Sequence, residues 1–173
     1  VNGFLPKPLY RSSVYSVIKA VLEHKEQPPF DGEEKPAGKA LEGLRLLMAE
    51  DNALNQEIAA TLLRMSGALV DCVEDGRRAL DTFLTSKPGD YDAILMDVQM
   101  PVMDGYEATR IIRTMPELEG LPIVAITAHA MHEDKMRALS AGIARYLSKP
   151  LSRAALFGTL RALLPNKILP RKP

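Results

Sequence analysis

The chain is short of cysteine, of net charge and of long apolar runs, and each shortage removes a class of protein. Its single cysteine, Cys72, cannot close an internal disulfide. It lies in the apolar segment Ala68–Val73, where a buried core thiol in a reducing compartment is expected. Lys and Arg number 22 and so do Asp and Glu, so no excess of charge favours nucleic acid or an anionic membrane. The apolar stretches are strand-sized, well short of the roughly 20 residues a membrane-spanning helix needs, so no membrane contact is expected from this segment. A charged-then-apolar secretory leader is missing, and Val1 in place of Met is expected to mark a fragment. The expected location is the cytoplasm, with any membrane anchor elsewhere in the parent protein. His129 and His132 have no second ligand pair at zinc spacing, so a zinc site is not expected. What is present is 46% hydrophobic residues in 173, enough for one domain plus extra material or for two small domains.

Residues 23–43 are rich in Pro, Gly and charge and have no apolar period, which predicts a solvated linker. After it, strand-like and helix-like segments alternate five times. Leu44–Ala49 precedes a helix over Asn52–Met65 that stops near Gly67, and Ala68–Val73 precedes one over Gly76–Leu84. Ala93–Met96 leads to a helix over Tyr106–Thr114, Ile123–Ile126 to one over Met131–Ala141, and Ile143–Leu147 to one over Arg153–Leu164. This alternation predicts an α/β fold, a doubly wound parallel sheet with helices on both faces. Ligands of such sheets bind outside the carboxyl ends of the strands.

The two ends of the chain repeat each other. Phe4-Leu5-Pro6-Lys7-Pro8-Leu9-Tyr10-Arg11 aligns with Tyr146-Leu147-Ser148-Lys149-Pro150-Leu151-Ser152-Arg153. The match continues into helices whose apolar stripes are Val14, Val17, Ile18, Val21 and Leu22 against Leu156, Thr159, Leu160, Leu163 and Leu164. Residues 1–22 are therefore expected to be the last strand and helix of a truncated preceding copy of the domain. That stripe cannot be buried by one strand and one helix. It either packs on the intact domain or draws in another chain, which would give a homodimer.

Polar residues follow the predicted strands. Glu50 and Asp51 follow the first, Asp97 the third, Thr127 ends the fourth and Lys149 follows the fifth. Asp97 is placed to act as a nucleophile on phosphorus, although Asp is also common at helix caps and turns. Asp51 likewise suits a helix N-cap. Adjacent acids facing a third repel one another, and Mg²⁺ suits such a set because it takes a few carboxylates and keeps its waters. Thr127 can donate to a phosphoryl oxygen, and Lys149 can act on it as a point charge. Pro150 restricts Lys149 to extended geometry, and the bond between them is a candidate for cis. Met96, Met100 and Met103 read as core and loop filler.

On these residues, Leu44 to Leu164 resembles a two-component response-regulator receiver domain from end to end. The resemblance rests on Ala49-Glu50-Asp51-Asn52 with Asn55-Gln56, on Met96-Asp97-Val98-Gln99-Met100-Pro101-Val102-Met103-Asp104-Gly105, on Ile126-Thr127-Ala128 and on Ser148-Lys149-Pro150. The Asn-x-x-Asn-Gln continuation and the loop after Asp97 are similar to receivers attached to hybrid sensor histidine kinases. The resemblance implies a flavodoxin-like sheet of five strands in the order 2-1-3-4-5. It implies Asp97 as phosphoacceptor from a phosphohistidine on a kinase or histidine phosphotransfer domain. Asp51, Asp97 and the backbone carbonyl of Gln99 would bind Mg²⁺, with Glu50 assisting through water. Thr127 and Lys149 would bind phosphoryl oxygens, and Tyr146 would be the switch aromatic. Gln99 and His129 fall where the family tunes dephosphorylation. One departure is Ile143-Ala144-Arg145, where hybrid receivers often carry acids. Lys7 would be the matching lysine of a preceding receiver.

The implied function is phosphorelay signalling by a fragment of a hybrid kinase, the alternative being a stand-alone response regulator without DNA-binding output. Only residues 165–173 follow Leu164, too few for a DNA-binding domain and expected to be a linker. A haloacid-dehalogenase-type hydrolase would need a second acid two residues past Asp97, where Gln99 stands. A flavin or nucleotide binder would need a glycine-rich loop after the first strand, where Glu50 and Asp51 stand.

Overall fold

The computed structural model describes residues 40–128 and 132–168, without the side chains of 132–135 and 138. Five strands, β1 (Arg45–Ala49), β2 (Leu69–Val73), β3 (Ala93–Asp97), β4 (Ile123–Thr127) and β5 (Arg145–Ser148), alternate with five helices. The helices are α1 (Ala53–Met65), α2 (Gly76–Thr85), α3 (Gly105–Ile112), α4 (His132–Ala141) and α5 (Arg153–Leu163). All strand pairs are parallel and the order is β2-β1-β3-β4-β5, as the resemblance implies. Residues 1–39, including the expected strand–helix repeat with its stripe Val14, Val17, Ile18 and Val21, lie outside the described residues.

Both faces of the three central strands are buried, so β1, β3 and β4 read as nearly continuous apolar runs. Side chains alternate between two cores. Leu46, Met48, Leu95, Val124 and Ile126 pack with Ala59, Leu63, Leu156 and Leu160 of α1 and α5. Leu47, Ala49, Ile94, Met96, Ile123 and Ala125 pack with Ala79, Leu80, Phe83, Ala108 and Ile112 of α2 and α3. A one-residue register slip would exchange these sets, so the two-sided pattern fixes the register.

Local signals set the helix ends. The N-cap of α1 is Asn52, whose side chain accepts from the Leu54 and Asn55 amides, and not Asp51. That leaves the Asp51 carboxylate out of the cap. Gly67 ends α1 at φ +93°, with its amide on Arg64 O and that of Ala68 on Leu63 O, a left-handed stop that glycine adopts at little cost. Strand β5 starts two residues later than expected. Ile143 is apolar because it is buried beside Ala141 in the α2–α3 core, while the ladder with β4 begins only at Val124 and Arg145. Cys72 is half-buried, not fully buried, because β2 is an edge strand; the Arg64 guanidinium lies 3.9 Å from its sulfur. Residues 165–168, expected to begin a linker, pack on the domain: Ile168 is buried in the α1–α5 core and Lys167 pairs with Asp92. Among the described residues no helix is long and apolar enough to cross a membrane.

Candidate functional site

The parallel register delivers the polar residues to one edge. Met96 pairs with Ala49, Asp97 with Ile126, and Thr127 with Ser148, so the turns after β1, β3, β4 and β5 adjoin at the carboxyl end of the sheet. Glu50, Asp97 and Thr127 are all buried there, while Asp51 is exposed. Lys149 follows β5, its amide on Thr127 O at 2.8 Å and its bond to Pro150 cis, as the sequence allowed.

The Lys149 ammonium bridges two carboxylates. Its Nζ lies 2.7 Å from Asp97 Oδ2 and 2.9 Å from Glu50 Oε2. Asp97 Oδ1 accepts from the Gln99 amide at 3.0 Å, so both oxygens of Asp97 are held. Glu50, Asp51 and Asp97 offer carboxylate oxygens within 4.8 Å of one another. Two carboxylates at that separation repel by roughly 3 kcal/mol at an effective dielectric of 20. One ammonium cannot neutralise three acids, so a divalent cation suits the remaining charge, and all-oxygen donors suit a hard one. Among the described residues no buried side-chain polar atom lacks a hydrogen-bond partner, which is what a site built to hold charge requires.

Burial pushes the Glu50 carboxyl above its ordinary range, with the Lys149 hydrogen bond opposing and the Asp97 charge adding to the rise. Burial alone would lower the Lys149 pKa. Hydrogen bonds and charge from Asp97 and Glu50 outweigh it, so the ammonium is held more firmly than in water.

The loop after β3 supplies the rest. Asp104 caps α3 by accepting from the Glu107 amide at 2.8 Å. Gly105 lies so close that a Cβ there would sit 2.2 Å from the Asp97 carbonyl oxygen, so only glycine fits without movement. Val102 has φ +68° and is spanned by a hydrogen bond from the Met103 amide to Pro101 O at 2.7 Å, a strained tight turn for a β-branched residue. A cavity of about 380 Å³ beside Thr127 is lined by Gln99, Asp104, Tyr106 and Arg137, and the Arg137 guanidinium stands 5.1 Å from the centre of the Tyr106 ring. Met96 and Met100 are buried in the α2–α3 core and Met103 packs against it. Tyr146 is 39% exposed on β5, three residues before Lys149.

The structure thus brings Glu50, Asp51, Asp97 and Lys149 together, with Thr127 and Gln99 at the same edge. His129 and the side chain of His132 lie outside the described residues. Sequence reasoning missed the grip on Glu50 from α1. Asn55 Nδ2 donates to Glu50 Oε1 at 3.3 Å, and Gln56 Nε2 donates to Glu50 O and Val73 O at 3.1 Å each. The available signal was two amides one turn after two acids.

A family model, the response regulator receiver domain, matches residues 46–161. The chain belongs to that family. The receiver is 44% identical over 117 residues to hybrid signal transduction histidine kinase I of Dictyostelium discoideum, covering 65% of this chain and 7% of that protein. It is 30% identical over 168 residues to the signal transduction histidine-protein kinase BarA of Escherichia coli K12, covering 96% of this chain and 17% of that protein. This chain therefore spans only a small part of either relative. Among solved structures it resembles the receiver domain of a sensor histidine kinase from Pseudomonas aeruginosa PAO1, determined with magnesium ion coordinated in the active site cleft. That match has TM-score 0.65 and 41% identity and covers 71% of this chain and 98% of the other. It also resembles a chain of the co-crystal structure of the Saccharomyces cerevisiae histidine phosphotransfer signaling protein Ypd1 with the receiver domain of its downstream response regulator Ssk1. There the TM-score is 0.66 and the identity 30%, over 74% of this chain and 93% of that one.

Proposed function

We propose that this receiver accepts a phosphoryl group on Asp97 from a phosphohistidine, as one step of a phosphorelay in a hybrid sensor histidine kinase. The observation that carries this reading is the Lys149 bridge between Asp97 and Glu50 inside a three-acid cluster. An Asp97 oxygen attacks phosphorus, the phosphorus–nitrogen bond breaks, and the histidine nitrogen leaves with the electron pair. The backbone amide of Gln99 and the ammonium of Lys149 hold the Asp97 carboxylate in place for attack. As the acyl phosphate forms, Lys149 follows the negative charge from carboxylate to phosphoryl oxygen and Thr127 donates to another.

Mg²⁺ fits the site. Asp51, Asp97 and the Gln99 carbonyl would hold it, with Glu50 acting through water. When bound it supplies charge neutralisation to the phosphoryl oxygens. The modification adds about −1.5 to −2 charge, which biases Thr127 inward and draws the exposed Tyr146 after it, changing the surface around β5. The donor is a histidine kinase or a histidine phosphotransfer domain, and residues 44–164 form a receiver that works in the cytoplasm, with any membrane anchor elsewhere in the parent protein.

Incubation with acetyl phosphate and Mg²⁺ tests this by mass. The expected result is a gain of one phosphoryl group that is lost in Asp97→Asn; no gain, or a gain that survives Asp97→Asn, overturns it.

A further inference from the structure

The first turn of α1 does more than start a helix. Asn52 caps it through Leu54 N and Asn55 N, at 3.0 Å each, and also donates its own amide to Glu50 Oε1 at 3.3 Å. Helical side chains tilt toward the N-terminus, so residues one turn in reach back over the strand end. Gln56 uses that reach. Its Nε2 stands 3.1 Å from both the Glu50 and the Val73 carbonyl oxygens, and Val73 O also takes the Glu50 amide at 3.1 Å. One side-chain amide thus joins the ends of β1 and β2 and fixes the main chain at Glu50.

Asp51 sits between the two holds, the clamp at Glu50 and the cap at Asn52. Its exposed carboxylate is aimed by a main chain gripped on both sides. Without Gln56, the Glu50 carbonyl would lose this donor and the turn its tie to β2. The acids would then have to be ordered by the cation itself, at a cost to its affinity.

We propose that Gln56 is a positioning residue for the cation site, presenting the Glu50–Asp51 turn through its two carbonyl hydrogen bonds. The inference rests on the metal reading above. Partners of this kind, one step removed from a metal, typically change its affinity by about 10- to 100-fold.

The test is calorimetric titration of the whole chain with Mg²⁺ alone, comparing wild type with Gln56→Met, which has similar length and no donors. Gln56→Asn, too short to span both carbonyls, serves if the Met variant does not fold. The expected result is a dissociation constant raised about tenfold in variants whose circular dichroism shows them folded. In acetyl phosphate labelling, the half-saturating Mg²⁺ should rise by the same factor while the rate at saturating Mg²⁺ stays near wild type. A merely structural Gln56 would lower the melting temperature and leave the metal constant alone. An unchanged constant in the folded variants overturns the positioning role and leaves the metal reading standing. Failure of the wild-type chain to take Mg²⁺ overturns both.

Discussion

At the scale of single residues, the position of Asp97 depends on Gly105 as much as on its charged neighbours. The main chain of α3 starts against the Asp97 carbonyl, and its Gly105 amide donates to Val98 O at 3.2 Å. Gly105→Ala would place a Cβ 2.2 Å from a backbone oxygen, a contact no side-chain rotation can relieve. Overpacking of this kind costs about 1–3 kcal/mol, and here the strain falls on the main chain of Asp97. The expected outcome is a lower urea midpoint together with slower labelling of Asp97. Gly158→Ala in α5 is the control: nothing lies within 4 Å of its Cβ, and the gain in helix propensity is about 0.8–1 kcal/mol, so stability should rise and labelling stay unchanged. The polar residues gathered at one edge were legible in sequence because each ends or follows a strand, and the winding rule sends such residues there. Gly105 could be read only as part of a loop motif. Its steric role depends on a backbone that arrives from β3, and no local pattern encodes that approach. The Lys149–Glu50 bridge was hidden for the same reason, since it joins residues at the ends of β1 and β5.

At the scale of elements, the alternation of apolar runs gave the order and number of strands and helices, while the joints between them were less visible. Tyr91 is one such joint. Its ring meets Phe83 of α2 edge-on at 5.5 Å, Arg45 of β1 stands 5.1 Å over it, and its hydroxyl donates to Asp71 of β2 at 2.8 Å. A lone tyrosine before a strand carries no periodic signal, so this three-way tie was not legible. Burial first, then the hydrogen bond and charge of Asp71, push the Tyr91 hydroxyl up from 10 to about 12, with Arg45 opposing. The folded chain therefore keeps a proton that the unfolded chain has released. Stability from this group is complete below pH 10 and is lost as pH rises from 10 through about 12. Urea midpoints measured across that range should fall for wild type and fall less for Tyr91→Phe. Below pH 10 that variant should be less stable by about 1 kcal/mol, the worth of the hydrogen bond.

At the scale of the whole molecule, the question is where the folded unit ends. The last periodic helix closes at Leu163, and the Pro-Asn-Lys run after it reads as linker because it has no apolar period of its own. The chain nevertheless turns back. Lys167 and Ile168 donate their amides to Leu164 O at 3.1 Å each, Ile168 is 7% exposed in the α1–α5 core, and the Lys167 ammonium pairs with Asp92. Asp92 in turn accepts the Arg45 amide at 2.8 Å, so the tail is tied to the start of β1 at the end of the sheet opposite the acids. A single isoleucine after a proline is invisible to periodicity, and only a third dimension assigns it to the core. Full burial of such a side chain contributes about 1.5–3 kcal/mol, while an exposed lysine pair adds at most about 1. Apolar burial therefore dominates the tail's hold. Ending the chain at Leu164 should lower the urea midpoint by an amount that Ile168→Ala largely reproduces and Lys167→Ala does not. Asp97 labelling should persist in all three wherever the protein remains folded, because the tail and Asp97 sit at opposite ends of the strands. Equal loss from Lys167→Ala would show the ion pair, not the isoleucine, to be what fastens the tail.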